Sequence, residues 1–173
     1  MIGDHIKRIV AIDPGTTMSG VCIVVKNSAR PLCSTKISNE ELFDWAATRI
    51  AHMNKPQWVF TAVVIERMQG NNMPVSSDVF LTCEWIGRFS QEFRQFGILA
   101  DYVFRRDEYR ALCGNIYSHN DKGVRQALVD RFAYGLPNFG KGTKKNPGWF
   151  YGFAADTWSA YAVAVTYLDM YGG

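Results

Sequence analysis

Three carboxylates stand where an α/β chain builds chemistry. Asp13 closes one apolar run, Glu66 closes another, and Asp156 opens the apolar segment near the end of the sequence. Acids joined to apolar strands are costly to bury without compensation. A hard divalent cation such as Mg²⁺ supplies it, because it takes a few carboxylates and keeps water and substrate phosphate as its other ligands. Acids converging from three elements, with no His or Cys beside them, suit metal-assisted phosphodiester hydrolysis. Each acid also has a plainer reading. An Asp before Pro14-Gly15 is a turn former. An acid at a strand end is a solvated rim residue, and Asp156 is a partner for a helix dipole. The chemical reading requires that the fold bring all three to the carboxyl edge of one sheet.

The elements that would do so are legible from residue pattern. Arg8 to Asp13 reads as a buried strand stopped by Pro14-Gly15, and Ser19 to Lys26 as its hairpin partner. Pro31 to Ile37 is a weaker third strand. A helix begins at Ser38-Asn39-Glu40-Glu41, runs to about Met53, and stops at Asn54-Lys55-Pro56. Trp58 to Ile65 is apolar on both faces and belongs inside a sheet covered on both sides. After the polar loop Gln69 to Pro74, Ser76 or Ser77 starts a long helix to about Phe96. Its stripe is Val79, Thr82, Cys83, Ile86, Phe89, Phe93 and Phe96, with a second apolar face at Leu81 and Trp85. Ile98 to Phe104 is a fifth strand. Short helices span Asp107 to Cys113 and Asp121 to Phe132, a lysine-bearing loop spans Leu136 to Gly148, and a helix from about Phe153 to Tyr171 closes the chain. The expectation is one α/β domain over residues 1–173, a mixed five-stranded sheet with helices on both faces.

The 173 residues are 47% hydrophobic and 20% charged, which excludes a disordered chain or a coiled coil. Lys and Arg number 19 against 16 Asp and Glu, so the net charge of +3 permits a nucleic-acid partner without demanding one. Cys22, Cys33, Cys83 and Cys113 form no CxxC and have no His at ligand spacing. That argues against zinc or a disulfide framework and fits a reducing cytoplasm. No apolar run approaches the ~20 residues of a membrane span.

Four segments resemble one family. AIDPGTTMSGVCIV resembles the first hairpin of RuvC-type Holliday junction resolvases, which have the ribonuclease H-like fold. VVIERMQG resembles their fourth strand, ending in a catalytic Glu. Asn120 to Gln126 resembles the stretch that opens a helix ahead of the last acids. Asp156-Thr-Trp-Ser-Ala-Tyr-Ala resembles the closing helix, D-x-x-D-A-x-A. The resemblance spans residues 8 to about 167 in order, and it is to divergent members such as those carried by bacteriophages, which would act in the host cytoplasm. It implies a metal-dependent endonuclease that cuts four-way DNA junctions and leaves 5′-phosphate ends. It also implies two Mg²⁺ or Mn²⁺ ions per site on Asp13, Glu66, Asp156 and the position of Ser159, with Lys122 at the scissile phosphate.

Two departures qualify it. The family's fourth acid falls on Ser159; a slipped register would put Asp156 fourth and Phe153 third. Either way one acid is present where the family has two. Gln69 stands where bacterial members carry a junction-wedging aromatic.

Arg67, Gln69, Arg105, Arg106, Arg125, Lys141, Lys144 and Lys145 are candidate DNA contacts, and Arg110 lies nearby. Solubility is the plainer reading of such charges. Tyr117, Trp149, Phe150 and Tyr151 read as packing. The second apolar face of the long helix, at Leu81 and Trp85, implies a homodimer, as in the family, suited to a two-fold junction. Neither a membrane nor a nucleotide cofactor is expected. Asp13-Pro-Gly-Thr-Thr also resembles the phosphate hairpin of the sugar kinase and actin group, but only one such hairpin is present. Two further alternatives stay open: a branched-DNA-binding protein that does not cut, given Ser159, and a nuclease for flaps or forks.

Overall fold

The computed structural model describes residues 2–3, 5–51, 61–70 and 75–172. Its sheet has five strands: β1 (Arg8–Asp13), β2 (Met18–Val25), β3 (Pro31–Ser38), β4 (Thr61–Arg67) and β5 (Asp101–Phe104), in the order β3-β2-β1-β4-β5. The β1–β2 and β2–β3 pairs are antiparallel, while β1–β4 and β4–β5 are parallel. The helices are α1 (Asn39–Ala51), α2 (Ser77–Gln95), α3 (Arg105–Glu108), α4 (Asp121–Ala133) and α5 (Ala155–Tyr171). A π-helical turn, Tyr109–Cys113, continues α3. The expected mixed α/β sheet with helices on both faces is therefore present.

Period-two alternation sorts the strands between two cores. Val10 and Ile12 of β1, with Val63 and Ile65 of β4, pack on Leu42 and Ala46 of α1 and on Ile86, Phe89 and Phe93 of α2. Ile9 and Ala11, with Val64, pack on the other side against α4 and α5. Helix α5 is buried along most of its length, from Trp158 to Tyr167. It lies on the sheet as a central layer, with Phe132, Trp149, Phe150 and Phe153 packed around Tyr161. Arg131 makes a two-pronged bond to Asp169, at 2.6 and 2.8 Å, that ties α4 to α5.

Local chemistry sets the helix starts. At α1, the Ser38 hydroxyl accepts from the Glu41 N–H at 3.2 Å and the Glu41 carboxylate accepts from the Ser38 N–H at 3.3 Å, a reciprocal cap. At α4, Asn120 caps by accepting from the Gly123 N–H at 2.9 Å. At α5, the Thr157 hydroxyl accepts from the Ala154 N–H at 2.9 Å.

Several expectations are corrected. The strand expected from Ile98 begins at Asp101, because the Ile98 N–H bonds back to the Phe93 carbonyl at 3.1 Å and Gly97 turns the chain at φ +80°. Ser76 is the N-cap of α2, but its side chain makes no capping bond. Trp85 is not on a second apolar face: its ring sits 5.5 Å from Phe89 at the second core, and Arg88 covers it at 4.6 Å. The helix between Asp107 and Cys113 starts earlier, at Arg105. The Asn54-Lys55-Pro56 stop and the start of the fourth strand at Trp58 lie outside the described residues. Among the described residues, no helix is long and apolar enough to cross a membrane.

Gly20 is the tightest joint between sheet and α5. A Cβ there would lie 2.4 Å from the backbone oxygen of Asp156 and 3.4 Å from Ala160 Cβ. Gly20→Ala is therefore expected to cost about 2 kcal/mol, or roughly 5 °C in melting temperature. Gly87→Ala, a helical site with open space around it, is expected to raise it slightly. Thermal melts followed by circular dichroism check both; an unchanged Gly20→Ala melt would show that α5 does not rest on this contact.

Candidate active site

Asp13 closes β1 and Glu66 is next to last in β4. Both follow the parity of Ala11 and Val64, so both face α5. Parallel pairing of Ile12 with Ile65 makes the two acids neighbours, and their carboxyl groups share a hydrogen bond. The turn that follows Asp13 is fixed by the buried Asn39. Its side chain donates to the Gly15 carbonyl at 3.0 Å and accepts from the Ser19 hydroxyl at 2.7 Å. Gly20 pairs with Asp13 across the hairpin, and its lack of a side chain lets the start of α5 come down beside them. Asp156 lies in the first turn of α5, and Ser159, one turn on, bonds the Asp13 carboxyl.

The pocket is electrostatically crowded. Glu66 accepts an ion pair from Arg105 at 3.0 Å, and the same guanidinium reaches Glu108 at 3.0 Å and Asp121 at 3.7 Å. One oxygen of Glu66 and one of Glu108 are buried with no hydrogen-bond partner. Burial, then the charges of Glu108 and Asp13, push the Glu66 carboxyl well above the usual carboxylate range. Burial does the same to Asp13, against the opposing effects of its bond to Glu66 and the charge of Arg105. Burial also raises Glu108, to about 8. Two adjacent buried carboxyls, one with an orphaned oxygen, fit a hard divalent cation. Asp156 is drawn the other way, onto Lys36 at 2.6 Å. Among the described residues, no three acids, histidines or cysteines form a ready-made metal cage.

The structure thus brings Asp13, Glu66 and Ser159 together, with Asp156 at the rim. Lys122 and Arg125 border the cleft between α4 and α5 that Asp156 and Ser159 line. Arg125 lies over Phe139 at 4.1 Å and Trp158 at 5.0 Å. Arg67, Gln69 and Arg106 border the cleft on the Glu66 side, with Arg67 over the Tyr102 ring at 5.1 Å. Arg105 is engaged inside the acid cluster and is not an exposed rim cation. Lys141 donates to the Phe153 carbonyl at 2.6 Å, while Lys144 and Lys145 are exposed. Arg110 is exposed, 4.0 Å from Asp107. Tyr117, Trp149 and Phe150 pack, and Tyr151 is exposed. Lys36 and Glu108 escaped the sequence reading. Glu108 was signalled only by its i,i+3 spacing from Arg105, and Lys36 by the pairing of its strand.

Solved structures share this architecture. The RuvC of T. thermophilus in complex with a Holliday junction substrate superposes with a TM-score of 0.62 at 15% identity, covering 94% of this chain and 93% of that one. Thermus thermophilus RuvC alone gives 0.57 at 17% identity, covering 94% and 96%. The yeast mitochondrial Holliday junction resolvase Ydc2 gives 0.59 at 8% identity, covering 98% and 80%. No family model matches the chain, and no curated protein matches it by sequence. The fold is that of the RuvC-type, ribonuclease H-like resolvases.

The acid pair has a consequence for stability. A carboxyl whose folded pKa is raised stabilises the fold fully below its unfolded value and loses that contribution as pH rises toward the folded one. For Glu66 the window opens near 4.5 and extends to about 10. In EDTA, the melting temperature is expected to fall as pH rises from 5 to 9. Asp13→Asn at pH 8 is expected to raise it by roughly 3–6 °C, on the order of 1–2 kcal/mol. Mn²⁺ is expected to stabilise the native chain and not Asp13→Asn. Scanning fluorimetry checks this; a destabilised Asp13→Asn in EDTA would show the pair to be a structural bond.

Proposed function

We propose that this chain is a divalent-metal-dependent endonuclease acting on branched DNA, with four-way junctions as its main substrate. The observation that carries the reading is the Asp13–Glu66 carboxyl pair, with its unpartnered buried oxygen, at the carboxyl edge of this fold. The proposed ligands for Mg²⁺ or Mn²⁺ are Asp13 and Glu66, with Asp156 and the Ser159 hydroxyl facing them from α5. A bound ion there supplies a Lewis acid for the phosphodiester and activates water. The water oxygen adds to phosphorus and the bond to the 3′ oxygen breaks. One proton of the water ends on that oxygen, leaving a 3′-hydroxyl and a 5′-phosphate. Lys122 steadies charge on the scissile phosphate from the mouth of the α4–α5 cleft. Arg105 holds the Glu66 carboxylate in place. Arg67, Arg106, Arg125, Lys144 and Lys145 serve as sequence-independent phosphate contacts.

Two observations favour a second reading, a junction-binding protein that does not cut. Ser159 carries no charge, and Asp156 is already paired with Lys36. Nicking of flaps or forks is the third, and the assay below separates all of them.

The proposed assembly is a homodimer through α2, which leaves Phe80 62% and Leu81 45% exposed. Two copies would address two like strands of a symmetric junction.

An end-labelled four-way junction, a fork, a flap and a linear duplex with Mg²⁺, Mn²⁺ or EDTA test the activity. Symmetric metal-dependent nicks on the junction are expected. Asp13→Asn is expected to abolish them and leave junction binding within about threefold, since removing one transition-state contact costs on the order of 10²-fold or more in rate and little in binding. Tight binding without nicks would support the second reading, and loss of both in Asp13→Asn would make Asp13 structural. For assembly, Leu81→Glu is expected to convert dimers to monomers in light scattering; monomeric native protein at micromolar concentration would remove the dimer.

A further inference from the structure

One transverse row of the sheet carries Lys36, Gly20, Asp13 and Glu66. Lys36 pairs with Gly20 across β3–β2, and Gly20 pairs with Asp13 across β2–β1. Directly paired residues point to the same face, so Lys36 faces α5 as the acids do. Because Gly20 has no side chain, the first turn of α5 comes down on it and brings Asp156 beside Lys36. Its ammonium stands 2.6 Å from Asp156 Oδ2. The two side chains close a cleft of 260 Å³ whose other walls are Asp13, Gly20 and the turn after β1. Both remain about half exposed, 48% for Lys36 and 44% for Asp156, so a phosphate can approach them.

Charge is divided unevenly across this row. On the Glu66 side, four carboxyls (Asp13, Glu66, Glu108 and Asp121) face one guanidinium, Arg105. On the α5 side, Asp156 faces the Lys36 ammonium, Lys122 and Arg125 border the same helix end across the α4–α5 cleft, and the next turn offers only the neutral Ser159. A divalent ion is favoured where negative charge is in excess, and the α5 side has none. A lysine ammonium is a compact point charge with three donors, suited to an anionic oxygen.

We propose that Lys36 stands in for a second divalent ion: held on Asp156, its ammonium contacts the scissile phosphate, alongside Lys122 and a single divalent ion on Asp13 and Glu66. This rests on the nuclease reading above, and it replaces the two-ion site implied by the family resemblance. It also gives the missing fourth acid a reason, since a second ion would not need its ligand.

Mn²⁺ titration by calorimetry and junction cleavage are run on the native chain and on Lys36→Met, Lys36→Arg and Lys36→Glu. Thermal melts confirm that each variant is folded. The native chain is expected to bind one Mn²⁺, and Lys36→Glu two. Lys36→Met is expected to cut about 10²-fold more slowly with junction binding within threefold, and Lys36→Arg to retain most of the rate. Two Mn²⁺ on the native chain, or native-rate cutting by Lys36→Met, would overturn the proposal while leaving the nuclease reading intact. If the native chain does not cut, the nuclease reading fails separately. The Mn²⁺ count then decides: one ion on the native chain and two on Lys36→Glu keep the ammonium in the cation's place, and any other count overturns it.

Discussion

A carboxyl at the end of a buried apolar strand must find compensation, and this molecule is arranged around two of them. The strand alternation that buries Ile9 and Ala11 against α5 also turns Asp13 to that face, and the same parity turns Glu66 beside it. Everything near the site answers to that burial. Arg105 lies across Glu66 and Glu108, Asn39 pins the turn behind Asp13, and Gly20 opens the space into which α5 delivers Asp156 and Ser159. The compensation is incomplete: one oxygen of Glu66 and one of Glu108 remain unpartnered. That incompleteness costs stability, and it is what the proposed cation would relieve.

The rest of the fold keeps this edge rigid. Helix α5 is enclosed by the sheet on one side and by the aromatic layer of Phe132, Trp149, Phe150 and Phe153 on the other. Only its N-terminal end, through Asp156 and Ser159, meets the cleft at the site, so Asp156 is placed by a helix that is buried along most of the rest of its length. The basic rim is held less tightly. Arg67 and Arg125 rest on aromatic faces, which orient their guanidinium groups.

The acids were legible in the sequence because each sits at a change of pattern, where an apolar run stops or starts. Four of the five strands and the long helices were legible for the same reason. What escaped depends on non-local geometry. Lys36 lies in a weakly patterned strand, and its place beside Asp156 appears only once that strand is registered on Gly20. An arginine on the rim and one folded back onto buried acids look alike in sequence, so Arg105 was read as a DNA contact. Ile98 resembles the start of a strand because it is apolar and β-branched, but the turn at Gly97 ties its N–H back to the end of α2. Trp85 falls on the Thr82, Ile86, Phe89 stripe when counted in steps of three and four, and its pairing with a second face ignored that spacing.

The row of Lys36, Gly20, Asp13 and Glu66 also restricts how this chain can change over evolutionary time. Strand faces alternate with every residue, so gaining or losing a single residue within β2 or β3, unless absorbed as a bulge, would turn part of the row to the opposite face of the sheet. Changes of two residues keep the face but slide Gly20 out from under α5. Length variation is therefore confined to places outside the row, such as the turn between β2 and β3 and the loop carrying Lys144 and Lys145. Descendants of this sequence should drift freely in letters along the strands, while the register that sets both Asp13 and Lys36 opposite Gly20 stays nearly frozen.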